Sequence, residues 1–558
     1  MFDVRCSVFD VSFAESPHAR LSLARPSRAP AVCTPPGTSE VPGGKLALRS
    51  DHGNVHSPAP DFRTLGTRRH GHAPDAHAHA DALFDAARSV APGTLRPAPD
   101  EQIELAEKEI HRTHWDKPFH ELAQLYHRRF IGSRDTYAAY GRNLVAAFGK
   151  FQKLGKLEII TSAATHAVLP LLANHPASLR AQILVARDHY RSCFGCDPRG
   201  IWLPECAYVD GVEPVLQAAN IRWFITDTHG LLHASPRPRY GVFAPIFTPN
   251  GMAAFGRDLD SAKQVWSKHE GYPGDATYRD FYRDIGFDLP IEHLGPIARG
   301  TRKFSGVKYH RITGRGEEKQ LYDRTAAENA AAQHATHFLE QCHQQIREIG
   351  EMGFEPIIVA PFDAELFGHW WFEGPIFLEQ FIRCASNESD FRLTTPSEYL
   401  AAHPTQQIVE PAASTWGDKG HLAVWLDPSN AWIYPQLNVA TQKMSELAEQ
   451  TSAVAGQSRK HSGLPNQPSA GEAPALQITD RVLKQLAREL LLAQASDWAF
   501  LMKTGTAREY ATQRTIDHLD RFNRLHDQFV TNNLDEEFLC DCERRDNIFS
   551  NVNWRYYV

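Results

Sequence analysis

Four short stretches of the chain place reactive side chains directly behind apolar runs. "GIWLPE" ends on Glu205, and "IRWFITDTH" ends on Asp227 and His229. "PIIVAPFDAELFGHWW" delivers Asp363, with Glu365, His369, Trp370 and Trp371 close behind, and "LEIITSAATH" brings His166 in the same way. Acids from different strand ends that face one pocket suit glycoside chemistry. One carboxylate attacks the anomeric carbon or activates water, and the other protonates the departing oxygen. Two other readings stay open at this level. A single acid behind a strand is more often the N-cap of the next helix, and paired acids with histidines also suit a metal-dependent hydrolase or deacetylase.

The elements that must hold these residues alternate. Short strands are expected at 157–161, within "RGIWLPECAY" (199–208), "IRWFITDTHG" (221–230), "GVFAPIF" (241–247) and "EPIIVAPFDAE" (355–365), and at the start of "FRLTTPSEYL" (391–400). Helical periods fall between them, at 102–130, in "YGRNLVAAFGKFQKLG" (140–155), and near 176–190 and 325–350. Such alternation argues for a parallel α/β barrel or sheet, whose reactive groups gather at the C-terminal strand ends. Residues 255–288 form a long polar and aromatic excursion. Beyond residue 405 the pattern turns helical, broken by a Ser/Gly/Pro/Ala-rich stretch at 451–475 that reads as a flexible linker. No internal repeat is visible.

A chain of 558 residues has room for a large barrel and a second unit. Its formal net charge of −7 lacks the basic signature of a nucleic-acid or anionic-membrane partner. Nine Cys make no disulfide framework, and the lone pair Cys193 and Cys196 lacks the second pair that a zinc site would want. There is no apolar run of transmembrane length and no basic-then-apolar leader, so a cytoplasmic protein with reduced thiols is expected. The first hundred residues differ from the rest. They hold twelve Pro, seven His and ten Arg but one Lys, and show no period. They read as a disordered or non-native segment, as a wrong reading frame would give.

Two longer motifs narrow the choice. "GIWLPECAY" (200–208) and "APFDAELFGHWWFEGP" (360–375) resemble the catalytic motifs of glycoside hydrolase family 57, and more narrowly its 1,4-α-glucan branching enzymes. "FGRD" (255–258), "KQVWS" (263–267), "GYPGD" (271–275), "YRDIGFD" (282–288), "PAASTWG" (411–417) and "ASDWAF" (495–500) fit the same branch. The resemblance implies a retaining enzyme of glycogen biosynthesis, with no metal or cofactor, that acts on an α-glucan. It implies Glu205 as nucleophile and Asp363 as general acid/base. Substrate contacts would come from His166, Asp227, His229, Arg257, Trp266, His369 and Trp370, with Trp416 and Trp425 lining the glucan groove. It also implies a (β/α)7-type barrel at 101–404 followed by an all-helical C-terminal domain at 405–558. The family opens with a strand that ends in His-x-His. No apolar strand precedes His77 and His79 in "HAHA", so the barrel is expected to be incomplete. An α-amylase, a 4-α-glucanotransferase or an inactive glucan-binding remnant are the alternatives.

Overall fold

The computed structural model describes residues 98–558, except 268–269, 299–301, 315, 317 and 462–471. The expectations for residues 1–97, including His77 and His79, lie outside the described residues. Three helices open the described chain: α1 (Ala98–Arg112), α2 (Lys117–Ala139) and α3 (Leu144–Lys153). Helix α4 (Pro176–Phe194) begins on a proline and stops at Gly195, whose φ of 72° ends a helix without a Cβ penalty.

The sheet follows. β1 (Gly200–Trp202) leads to α5 (Glu213–Ala218), β2 (Trp223–Thr226), α6 (Thr228–Leu232), β3 (Ile246–Phe247) and β4 (Ala253–Gly256). The strand order is β1-β2-β4-β3, with β1, β2 and β4 parallel and β3 antiparallel to β4. Both faces of the sheet are covered, which explains the unbroken apolar runs. Ile201, Phe224 and Ala254 face one cluster with α4, while Trp202, Trp223, Ile225 and Phe255 face another with Ile357 and Val359. Gly200 is required opposite Trp223, because a Cβ there would lie 2.2 Å from the indole ring.

Helix α7 (Leu259–Trp266) leaves β4 through an Asp258 cap. Then come α8 (Arg324–Gly350), α9 (Gly374–Ala385) and α10 (Pro396–Ala402), and a helical C-terminal region of α11 (Ile433–His461), α12 (Glu472–Ala493), α13 (Ser496–Thr504), α14 (Arg508–Val530) and α15 (Glu536–Arg545). This region shares a core with α4. Ala181 and Val185 pack in one cluster with Leu437, Met444, Leu486 and Leu490.

Four expectations change. Residues 157–161 make only one parallel bridge, Thr161 to Ile201, and residues 356–360 run extended without a strand ladder. Their link to the sheet is a hydrogen bond from the Asp258 amide to the Val359 carbonyl, at 2.8 Å. An apolar run reports burial, not pairing. No strand forms at 391–395, where Thr395 and Glu398 instead build a capping box for α10. The linker expected at 451–475 is helical at both ends, because α11 continues to His461 and α12 begins at Glu472. The result is a mixed α/β sheet with a helical C-terminal region. Among the described residues, no helix is long and apolar enough to cross a membrane.

Candidate active site

Glu205 stands on a sharp turn at the end of β1. Glu205 and Cys206 have φ values of 60° and 48°. A left-handed non-glycine residue costs roughly 1–3 kcal/mol, so the turn persists only if its surroundings enforce it. They do so through the 415–416 segment. The Trp416 amide and the Thr415 hydroxyl both donate to the Glu205 carbonyl at 3.0 Å. The Trp416 indole N–H donates to Glu205 Oε2 at 2.6 Å. This is a short, charge-assisted bond.

His166 also has a positive φ, 55°. Its Nδ1 lies 3.1 Å from Ser496 Oγ and 3.6 Å from Glu205 Oε1. Asp227 follows β2 at the N-cap position of α6, yet its carboxylate makes no capping bond. It accepts instead from His229 Nδ1 at 2.8 Å and from Arg257 Nη1 at 3.2 Å. Arg257, just past β4, places its guanidinium 5.4 Å from the Trp416 ring centre. The helix-cap explanation therefore fails for Asp227. It fails equally for Asp363, which precedes the turn Ala364–Leu366 without capping it by its side chain.

Cys206 shows where these charges converge. Burial pushes its thiol pKa well above the ordinary value. Arg257 pulls it down, while Asp227, Glu205 and Asp363 each push it higher. Four charged groups from three strand ends and the 356–360 segment thus act on one buried sulfur. The loop that carries Asp363 divides its aromatic residues by role. Trp371 is buried in the core beneath. Trp370 is 51% exposed and stacks on Phe281 with centroids 5.1 Å apart, while His369 meets the same ring edge-on at 5.6 Å. A carboxylate on a strained and braced turn, with a second carboxylate from another strand end, can perform acid/base and nucleophilic chemistry.

Glu205, His166, Asp227, His229, Arg257 and Trp416 thus join one network. Trp266 stands apart, 38% exposed at the end of α7. Trp425 requires correction. It is 2% exposed and packs in the core of the helical region, so it is not a groove wall. Trp416 meets Glu205 with its N–H, a role beyond that of a lining ring. Sequence reasoning missed Cys206, Thr415 and Ser496 as site residues. Each lies inside a quoted motif, but a small side chain gives no periodic signal of its own.

Among the described residues, two groups of acids and histidines are close enough to share an ion: His343, Glu388 and Asp390, and Glu489, His518 and Asp546. Neither includes a residue of this site. The second already holds a cation, since Arg521 Nη1 lies 2.6 Å from Asp546 Oδ2.

Residues 82–412 match the glycosyl hydrolase family 57 model, and residues 468–557 match the model for the C-terminal region of 1,4-alpha-glucan branching enzymes. A 1,4-alpha-glucan branching enzyme of Thermococcus kodakarensis is 32% identical over 76% of this chain and 62% of its own length. The chain thus spans under two thirds of that relative. Among solved structures, an alpha-amylase of Thermotoga maritima superposes with a TM-score of 0.74 at 41% identity, covering 82% of this chain and 84% of that one. A family 57 branching enzyme of Pyrococcus horikoshii superposes with a TM-score of 0.70 at 32% identity, covering 82% of each chain. The first family match alone spans more than half of the sequence, and the chain belongs to glycosyl hydrolase family 57.

Proposed function

We propose that the chain is a retaining 1,4-α-glucan branching enzyme. The observation that carries this reading is the Glu205 carboxylate on its left-handed turn, where the Trp416 indole N–H donates to it at 2.6 Å. The match of residues 468–557 to a branching-enzyme region supports it. In this reading Glu205 attacks the anomeric carbon of an α-1,4 link while Asp363 gives its proton to the departing oxygen. Asp363 then takes the proton of an acceptor 6-hydroxyl as that oxygen displaces Glu205, leaving an α-1,6 branch. Retention calls for carboxyl groups roughly 5–5.5 Å apart. His166, Asp227, His229 and Arg257 serve the donor sugar, and His369, Trp370 and Trp266 the acceptor side. Water must be kept from the glycosyl-enzyme for transfer to win.

The finer architecture belongs to the same proposal. The four-stranded sheet, with 157–161 and 356–360 alongside, is the core of an incomplete (β/α)7-type barrel at 101–404, and 405–558 is the helical domain. A cytoplasmic role in glycogen synthesis accords with this reading. The test is to incubate the protein with amylose and count new α-1,6 links against new reducing ends. Branches without matching reducing ends support transfer. Reducing ends without branches favour hydrolysis, the reading suggested by the 41% identity to a Thermotoga α-amylase. Glucan binding without turnover, unchanged in Glu205→Gln, would leave a binding remnant.

A further inference from the structure

The loop that carries Asp363 and Trp370 abuts a run of exposed rings. Phe281 lies parallel to Trp370, and its ring centre is 5.7 Å from that of Phe304 and 5.2 Å from that of Tyr282, which meets it edge-on. Phe304 meets Phe287 in turn at 5.0 Å. Tyr282 is 75% exposed, and Phe287, Phe304 and Trp370 are exposed as well. The surface is rigidly built. The buried Lys308 ammonium lies 4.4 Å from the Phe281 ring centre and 4.7 Å from that of Phe304, and it donates to the Phe281 carbonyl. The Asp280 carboxylate accepts from the Tyr282 and Arg283 amides, each at 2.8 Å. The buried Asp284 carboxylate accepts from the Ser305 and Gly306 amides at 3.0 Å, which ties the Phe304 segment to the Phe281 segment.

We propose that Tyr282, Phe287 and Phe304 extend the Trp370 side of the site into a platform that binds an α-glucan chain by stacking. The proposal deepens the glucan-transfer reading above and rests on it for the choice of ligand. Contiguous exposed apolar patches mark binding surfaces, and the make-up of this one selects the partner. Among the described residues of 280–306, the exposed large apolar side chains are Tyr282, Phe287 and Phe304, all aromatic. Flat rings held in place offer faces for the apolar sides of sugar rings. Arg283 and Asp288, next in sequence to Tyr282 and Phe287 and paired at 2.9 Å, offer charged groups for the hydroxyls. Two facts favour a glucan over another protein. The chain belongs to a glycosyl hydrolase family, and the platform is continuous, through the stack of Phe281 on Trp370, with the loop of Asp363.

The test is retardation of the full chain in native gels containing amylose, which reads binding without turnover. Tyr282→Ala combined with Phe287→Ala should weaken the apparent affinity about tenfold, the scale of losing aromatic anchors. The melting temperature should not change, because both rings are exposed. Tyr282→Leu combined with Phe287→Leu keeps apolar bulk without a flat ring and should lose as much, while Tyr282→Trp should keep the parent's affinity. Equal retardation of the parent and the double Ala variant overturns the platform, and so does full affinity in the double Leu variant. Self-association of the parent that the double Ala variant abolishes also overturns it, and assigns the surface to a second copy of the chain. Counting α-1,6 links separates the platform from the reading beneath it. A retarded parent that makes no branches sinks that reading and leaves the platform standing, whereas a branching parent retarded no more than its double Ala variant sinks the platform alone.

Discussion

Removing one hydrogen-bond donor without removing its ring probes how the Glu205 carboxylate is oriented. Trp416→Phe deletes the indole N–H that reaches Glu205 Oε2 at 2.6 Å. An aromatic ring stays near Arg257, 5.4 Å from the Trp416 ring centre in the parent, and near Trp202, whose ring lies 5.2 Å away edge-on. The backbone bond from residue 416 to the Glu205 carbonyl is independent of the side chain and should persist. What is lost is a bond to an ionised group, worth about 1.5–3 kcal/mol. At 1.36 kcal/mol per decade, a full loss from the transition state lowers kcat/KM by roughly 10- to 150-fold. The assay is kcat/KM on amylose, together with a melting curve that separates misorientation from unfolding. A variant that stays within threefold of the parent, with an unchanged melting temperature, would refute the idea that this N–H orients Glu205 for the proposed reaction.

Three further outcomes follow from the packing and charge. Asp227→Asn keeps the shape but loses the charge that receives Arg257 and His229, and should lower kcat/KM by roughly 10- to 100-fold on the scale of bonds to charged groups. Steady-state kinetics would show it, and an effect under twofold would contradict the network. Gly200→Ala sets a methyl 2.2 Å from the Trp223 ring and should destabilise the sheet by about 1–3 kcal/mol, read from a urea midpoint. The pH dependence of stability provides the third. Burial lowers the His518 pKa to about 4 from its ordinary 6.5, so its contribution is complete above pH 6.5 and is lost as pH falls toward 4. Burial raises the Glu489 pKa to about 7, so its contribution grows as pH falls from 7 toward 4.5. The two oppose each other, and His518→Gln should expose the second as a melting temperature that rises between pH 7 and 5. A variant whose profile matches the parent would count against it.

The positions of Glu205, Asp227 and Asp363 were legible because apolar runs such as "GIWLP" and "IRWFIT" are long enough to mark buried segments, and each acid stands on the turn that follows its run. Whether 356–360 pairs was not legible, since an extended segment and a strand need the same apolar residues. The stretch "TSAVAGQSRKH" looked like linker for its Ser and Gly, yet Ala, Gln, Arg and Lys favour continuing the helix already begun at Ile433. Trp416 and Trp425 lie nine positions apart with the same side chain. One faces a carboxylate and the other a core, and only tertiary packing separates them. Ser496 gave no positional clue, because its partner lies 330 residues away in sequence.

That separation orders events during synthesis. At about 5–20 residues per second, Ser496 is made roughly 15–60 s after Glu205. The sheet with its turn at 204–206 can form while α13 has yet to emerge. The growing chain then carries Glu205 on a strained turn whose braces at 415–416 arrive later and whose neighbouring imidazole is tethered last of all. A nascent chain that already looks folded around β1, β2 and β4 therefore still lacks the contacts that hold Glu205 and His166 in place.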